Sequence, residues 1–351
     1  MKDRFVKIAP QTIALAIGLL LLGVLLILFL HRIRFVLVIL ALAIIFAQAV
    51  EPFVTLLQTR RIRRGAAVVI VYLAILLVFA AAVLWLAPPI VLQAQQLIIN
   101  VPALIETLQS LLVSYQTALN VSPEATRTIL QALGNMVVDS QQLLSSLLLF
   151  PLQITYVVIA TTSVLVISFY WMLVSEHVAG WLILALPSEH RMVGQSILRD
   201  MGLKVGDWVR GQVILSTAVG LMTFLGLVLL GQGFAVILAV WAAVTELIPI
   251  AGPIIGAIPA VFLALLVSPW QAVLVAVMYL VVQQIEAHLL VPNVMYRQVG
   301  LHPLVVILSL LVGGTLLGIV GALLAVPVAA ALQVLVVHLV PLWLQRDEAD
   351  A

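Results

Sequence analysis

Cysteine is absent from this chain of 351 residues, and only 9% of its residues are charged. The first absence excludes disulfides, thiolate metal sites and thiol redox couples. The second excludes an ordinary soluble domain, in which about a quarter of residues carry charge. The six histidines form no HExxH-type pair, which removes a zinc-protease centre. A nucleotide-binding glycine loop is also lacking, which counts against a primary pump, and no nucleophile–base arrangement marks an intramembrane hydrolase. The chain is therefore expected to be no enzyme and to use no cofactor or metal. Its formal net charge of +2 gives nucleic acid little to bind. What the chain has in abundance is apolar surface: 64% of residues are hydrophobic and the mean hydropathy is +1.28. That composition belongs to an all-α polytopic membrane protein.

Lys2, Arg4 and Lys7 precede an apolar run over 13–30, long enough to span a bilayer and without a small-residue cleavage site, so it reads as a retained first helix. His31, Arg32 and Arg34 turn the chain into a second run over 35–57, which carries Gln48 and then Glu51-Pro52. Glu51 lies near the helix end, within reach of the arginines that follow. These are Arg60, Arg61, Arg63 and Arg64, packed into one loop before a third run over 66–87. Basic clusters beside spans stay on the cytoplasmic side and set orientation.

After Pro88-Pro89 the character changes. Leu97, Val101, Leu104, Leu108, Leu111 and Tyr115 alternate in steps of four and three, the mark of an amphipathic helix. Ser122-Pro123-Glu124 starts a second one. Together they predict an extracytoplasmic helical hairpin with Arg127 as its only basic residue. A fourth run over 151–174 returns to the cytoplasm, where Arg191, Arg199, Lys204 and Arg210 flank apolar residues at helical spacing. That predicts an interfacial helix, with Trp181 and Trp208 as headgroup anchors. On this topology thirteen of the sixteen Lys and Arg residues lie inside, and both termini are cytoplasmic.

The second half differs in kind. A fifth run over 211–230 ends at Gly231-Gln232-Gly233, and the chain re-enters through 234–245 to meet Glu246. Pro249, Gly252, Pro253, Gly256 and Pro259 follow at once. Proline removes a donor and clashes with the preceding turn, so IPIAGPIIGAIP cannot be one regular helix, and a broken helix or re-entrant hairpin is predicted. A second interruption, Gly313 to Pro327, lies inside a later run over 304–340. Two interrupted segments mark a mid-membrane site in many secondary transporters, while close packing through small residues is the alternative. Between them a helix over 271–290 places Gln283 and Glu286 on one face, with Gln284 and His288 on a neighbouring one. Such a sector is expected to face protein. An inward-facing Glu246 or Glu286 must then be paired, hydrated or protonated, and an acid that exchanges protons can couple to a gradient. The alternatives are that Glu246 caps a helix start and that Glu286 holds Arg297 or His302 at the surface.

ELIPIAGPIIGAIPA, then QQIEAHLLVPNVM, then VGLHPLVVILSLLVGG and GIVGALLAVPVAA resemble the ordered motifs of the autoinducer-2 exporter family of bacterial membrane proteins. The resemblance runs the whole chain. It implies an inner-membrane transporter of about eight membrane segments and a homo-oligomer, by resemblance a pentamer. Some relatives in the family are described as exporters of the quorum-sensing signal autoinducer-2, others as sodium or lithium/proton antiporters, and many have no known substrate. Mapped by motif, the transport pathway comprises Glu246, Pro249, Gly252, Pro253, Gln283, Glu286, His288, Gly313 and Gly314, with Pro292, His302 and Pro303 as structural positions.

The expected organisation is N-terminal transmembrane helices over 1–87, the extracytoplasmic hairpin over 88–150, the fourth span and interfacial helix over 151–210, a transport core over 211–345 and a cytoplasmic tail over 346–351. Three functions fit: export of a small polar metabolite such as autoinducer-2, monovalent-cation/proton antiport, and a non-transporting membrane scaffold. Lipid and a small-molecule or ion substrate are the expected partners.

Overall fold

The computed structural model describes residues 10–119, 150–295 and 300–349, and these contain helix and no strand. Helices α1 (Pro10–Arg32), α2 (Arg34–Thr59), α3 (Arg64–Leu119), α4 (Phe150–Leu184) and α5 (Arg191–Leu229) come first. Two short helices follow, α6 (Ala235–Thr245) and α7 (Ala251–Val267). α8 (Pro269–Ile285) then passes through a π-helical turn, Glu286–Leu290, into the brief α9 (Val291–Met295), and α10 (Pro303–Ala349) ends the described chain. Six helical segments among the described residues are long and apolar enough to cross a membrane. Large apolar side chains such as Leu84, Trp85 and Leu229 stand on the outside, the surface that lipid requires. The molecule is an all-α polytopic membrane protein.

α5 is the axis of the fold. It is one helix of 39 residues, whereas sequence periodicity divides it into an interfacial helix and a separate span. No proline interrupts it, and the junction is held against α2: a Cβ on Gly202 or Gly206 would collide with Gln48. Trp208 is correspondingly no headgroup anchor. It is buried against Val326 and Ala330 of α10, while Trp181 does stand exposed. α3 runs past Pro88 and Pro89 to Leu119; the predicted second arm of the extracytoplasmic hairpin lies outside the described residues.

Two helical hairpins pack on α5 from opposite ends. In the first, α6 descends and α7 returns. A Cβ on Gly252 would strike the Thr245 carbonyl, Gly256 lies on Ala242, and Trp241 reaches Ile255. These pairs fix an antiparallel register centred on the 246–250 turn. Both bases lie together at one face, because Gln271 Nε2, in the first turn of α8, donates to the Leu230 carbonyl at the end of α5 (3.0 Å). The hairpin therefore enters and leaves on the same side. Its tip reaches the level of Gln212, 17 residues before Leu229, which is about 25 Å along the axis at 1.5 Å per residue. α7 spans 17 residues between the tip level and that face, short of the roughly 20 needed to cross a bilayer, whereas α8 continues through the π-helical turn and is long enough to cross over Pro269–Val294.

The second hairpin is α10 folded on itself at Gly318, whose φ of 62° and ψ of −141° depart from the helix. Gly313 and Gly321 pack backbone to backbone, and Val306 and Leu310 share a cluster with Val326 and Ala330. Its base sits at the arginine-rich start of α5, where Lys204 Nζ donates to Gln333 Oε1 (2.6 Å), Gln333 Nε2 donates to the Gly300 carbonyl (3.1 Å), and His338 lies 3.3 Å from Asp200. The two hairpins thus run in opposite directions along one helix.

Proline breaks are repaired across helices. Pro52 cannot donate to the Gln48 carbonyl four residues back, and Arg210 of α5 takes that carbonyl at 3.3 Å and the Ala49 carbonyl at 3.1 Å. Pro259 likewise frees the Ile255 carbonyl, which accepts from Trp241 Nε1 at 3.1 Å. At membrane depth such carbonyls have no water to turn to. Each proline therefore specifies a contact between helices.

Candidate functional site

Glu246 ends α6 at the tip of the first hairpin, and its side chain is 2% exposed. Its backbone carbonyl accepts a hydrogen bond from the Nε2 of buried Gln212 on α5. Glu246 lines a narrow cavity together with half-buried Glu286 from the π-helical turn after α8. Val219, Gly252, Tyr279 and Gln283 complete much of the wall. The free space is about 10 Å³, on the threshold of holding one water molecule. Among the described residues no Lys or Arg lines this cavity, and Glu246 Oε2 has no hydrogen-bond partner.

Local sequence explains the placement. Apolar and small residues over 235–245 let α6 pack deep against α5, where Gly220 meets Ala243. Pro249 and Pro253 stop α6 from continuing. Ile250 takes φ 70° and ψ −49° while the Ala251 N–H donates to the Pro249 carbonyl (2.8 Å), a γ-turn of the rare positive-φ kind. Positive φ is a strained choice for a β-branched residue. Opposite, Pro292 has no N–H for the His288 carbonyl, and the helix inserts a residue there, with the Val291 N–H bonding to the Glu286 carbonyl. Such π-helical turns are frequent at functional sites.

Two carboxyls facing each other in so small a space cannot both carry unscreened charge. A proton or a cation has to accompany the pair. The end of α6 sharpens this requirement, since a helix C-terminus opposes negative charge.

A profile of the family described as AI-2E family transporter matches residues 14–340. The chain belongs to the AI-2E transporter family. The Bacillus subtilis "Putative transport protein YrrI" is 36% identical over 152 residues, 43% of this chain and 43% of the relative. "Putative transport protein YueF" of the same organism is 34% identical over 164 residues, 47% and 44%. "Putative permease PerM" of Escherichia coli is 30% identical over 161 residues, 44% of each chain. The matched segments span less than half the length of these curated relatives.

Of the pathway positions that the AI-2E motif names, the structure brings Glu246, Gly252, Pro253, Gln283 and Glu286 to one cavity. Pro249 lies in the adjoining turn. Gly313 closes the second hairpin, while Gly314 meets nothing there. His288 and Gln284 are turned outward and line a shallow apolar groove with Leu280 and Leu289; His288 Nδ1 pairs with the Gln284 carbonyl at 3.0 Å. The polar sector of α8 is thus split, half on the cavity and half on the outer face. Pro292 sits in α9, and Pro303 opens α10, where the Leu304 N–H donates to His302 Nδ1 (3.2 Å). Glu246 stands at the end of a helix and not at the start of one, and Glu286 lines the cavity with it; Arg297 lies outside the described residues. Arg60, Arg61 and Arg63 are exposed, whereas Arg64 pairs with Glu51 (3.1 Å) and Glu176 (2.9 Å) and donates to the Met172 carbonyl (3.1 Å).

Sequence reading passed over Gln212, Ser216, Thr223 and Tyr279, all buried along α5 and α8. A signal existed for three of them: Gln212, Ser216 and Thr223 share one face of α5 at helical spacing. The hydroxyls of Ser216, Thr223 and Tyr279 are buried without partners. An unsatisfied buried polar group costs roughly 1–3 kcal/mol, so each calls for a reason.

Proposed function

We propose that this chain is a secondary transporter of the bacterial cytoplasmic membrane in which Glu246 and Glu286 form the coupling site. The carrying observation is the pair of carboxyls meeting at the tip of a re-entrant hairpin in a cavity of about 10 Å³. Protonation and deprotonation of that pair change the charge the hairpin tip must carry, and so bias it between closed and open positions. In keeping with the family, the cargo is a small polar metabolite such as autoinducer-2, exported by alternating access. A groove of about 870 Å³ between α2, α4 and α5, lined by Glu51, Arg64, Glu176, Arg199 and Arg210, is of a size that admits an organic cargo. The many basic residues at this end support its being cytoplasmic.

The second reading is a sodium or lithium/proton antiporter, and a specific observation favours it: the narrow cavity has room for an ion or a proton and none for a metabolite. Oligomerisation, which the family resemblance implies, would cover the outward groove that carries Gln284 and His288.

Purified protein in liposomes separates these readings. Labelled autoinducer-2 flux is compared with proton movement driven by sodium or lithium, beside a variant carrying both Glu246→Gln and Glu286→Gln. Autoinducer-2 flux without a cation response, lost in the variant, supports export. Cation-driven proton movement without autoinducer-2 flux supports antiport. Full activity of the variant in both assays removes the carboxyl pair from the mechanism.

A further inference from the structure

Of the eight buried side-chain polar atoms that lack a hydrogen-bond partner among the described residues, four stand on α5, α8 and the first hairpin's tip: Ser216 Oγ, Thr223 Oγ1, Tyr279 OH and Glu246 Oε2. Gln212, Ser216, Val219 and Thr223 follow the spacing i, i+4, i+7, i+11, one buried stripe of α5. Val219 and Tyr279 line the same cavity as the two carboxyls. A helical serine or threonine hydroxyl can bond the carbonyl three or four residues back, as Thr217, Thr245 and Ser168 do here. Ser216 and Thr223 do not, although they have the same option. Their hydroxyls are kept free.

Along α5, Ser216 stands about 6 Å and Thr223 about 16 Å from Gln212 toward the Gly231 turn. Tyr279 follows Met278, which packs on Gly226, and it lines the carboxyl cavity together with Val219 of the stripe. Beyond Thr223 the stripe reaches Leu227 and the turn at Gly231, where Gln271 binds the Leu230 carbonyl.

We propose that Ser216, Tyr279 and Thr223 form a hydroxyl relay that carries protons between Glu246 and the Gly231–Gly233 face. The inference rests on the reading of Glu246 and Glu286 as the coupling site. In the inward direction each hydroxyl takes a proton on an oxygen lone pair as it releases its own to the next group. The relay groups end as they began. The net change is one proton lost from water at the far face and one O–H bond gained on the Glu246 carboxylate; the outward direction reverses both. A metal cation is a poor passenger here, because each level offers a single hydroxyl, too few oxygens to replace a hydration shell. Organic cargo is excluded by the walls, where Leu227, Leu238, Leu263 and Val275 are packed into one cluster.

Thr223→Val and Tyr279→Phe remove a hydroxyl with almost no change of shape. The test is proton movement in liposomes, driven by an imposed sodium gradient or by a potassium-diffusion potential, with Glu246→Gln alongside. Each hydroxyl variant is expected to slow proton movement at least ten-fold, with unchanged thermal stability in detergent, and Thr223→Ser to restore most of the rate. Wild-type rates in Thr223→Val and Tyr279→Phe, with Glu246→Gln inactive, would overturn the relay and leave the coupling site standing. Undiminished proton movement in Glu246→Gln removes the coupling site and the relay with it, and none in the wild type overturns the relay. A rate lost equally in Thr223→Ser, or lost together with stability, assigns these side chains to packing and also overturns the relay.

Discussion

Single residues in this protein are explained by the carbonyls and charges they leave to others. Trp241 is the clearest case, because its indole N–H takes the Ile255 carbonyl that Pro259 releases. Trp241→Phe keeps much of the ring and removes the donor, so the carbonyl is left unpaired at a cost of about 1–3 kcal/mol. The expected result is a lower unfolding temperature in detergent. In a Pro259→Ala background the backbone gains an N–H that can serve the same carbonyl, and Trp241→Phe is expected to cost much less. Equal losses in the two backgrounds would separate Trp241 from the proline break and leave only ring packing to explain it. The same reasoning applies to Arg210, whose guanidinium serves two carbonyls at the Pro52 break in α2 as well as Asp207.

At the scale of elements, the hairpins depend on positions where a side chain has no room or where the backbone turns the wrong way for one. Gly318 holds φ at 62° within an otherwise helical stretch, a conformation that costs an L-residue roughly 1–3 kcal/mol. Gly252 lies on the Thr245 carbonyl with no space for a Cβ. Gly318→Ala is expected to open the second hairpin and lower thermal stability by about that amount. Gly252→Ala is expected to displace Glu246 from Glu286 and to lose transport even where the protein still folds. Transport at wild-type rate in Gly252→Ala would mean that the close fit of the first hairpin is not needed. These two glycines also mark the limits of the sequence as a guide. A break was legible from the prolines and glycines over 249–259, but the structure confines it to the 246–250 turn, and Gly252, Pro253, Gly256 and Pro259 all lie within α7. The fold-back of α10 was legible only as a glycine-rich interruption. Nothing local distinguishes a fold-back at Gly318 from a packed continuous helix, since the difference lies in contacts of Gly313 with Gly321 and of Leu310 with Val326. Five of the nine pathway positions meet at the cavity: Glu246, Gly252 and Pro253 from the first hairpin's tip, and Gln283 and Glu286 from the end of α8, about thirty residues later. Gln212 and Tyr279 escaped notice because a glutamine or tyrosine in an apolar helix acquires its role only when another helix is laid against it. The α8 pairing was legible, Gln283 with Glu286 and Gln284 with His288; that the second pair looks outward was not, because it depends on which helices pack beside α8.

The whole molecule is organised by two hairpins that approach α5 from opposite ends, with the carboxyl pair at the deep tip of the first. If the first hairpin is re-entrant, both of its bases meet the same aqueous phase, and the base of the second meets the other. Absence of cysteine from the chain makes this directly measurable with single introduced thiols. Gly233→Cys and Trp270→Cys lie at the two bases of the first hairpin, and His302→Cys lies at the base of the second; all three positions are exposed. In sealed right-side-out vesicles a membrane-impermeant maleimide is expected to label Gly233→Cys and Trp270→Cys, and to label His302→Cys only after the vesicles are opened. Labelling of Gly233→Cys and Trp270→Cys from opposite sides would mean that α6 and α7 together cross the bilayer, and Glu246 would then lie on a spanning path and not at a tip. Labelling of all three from the outside would place both hairpins on one face, contrary to the opposed packing along α5. The expected pattern with the sides exchanged would keep the hairpins as described and reverse the orientation that the arginine clusters support.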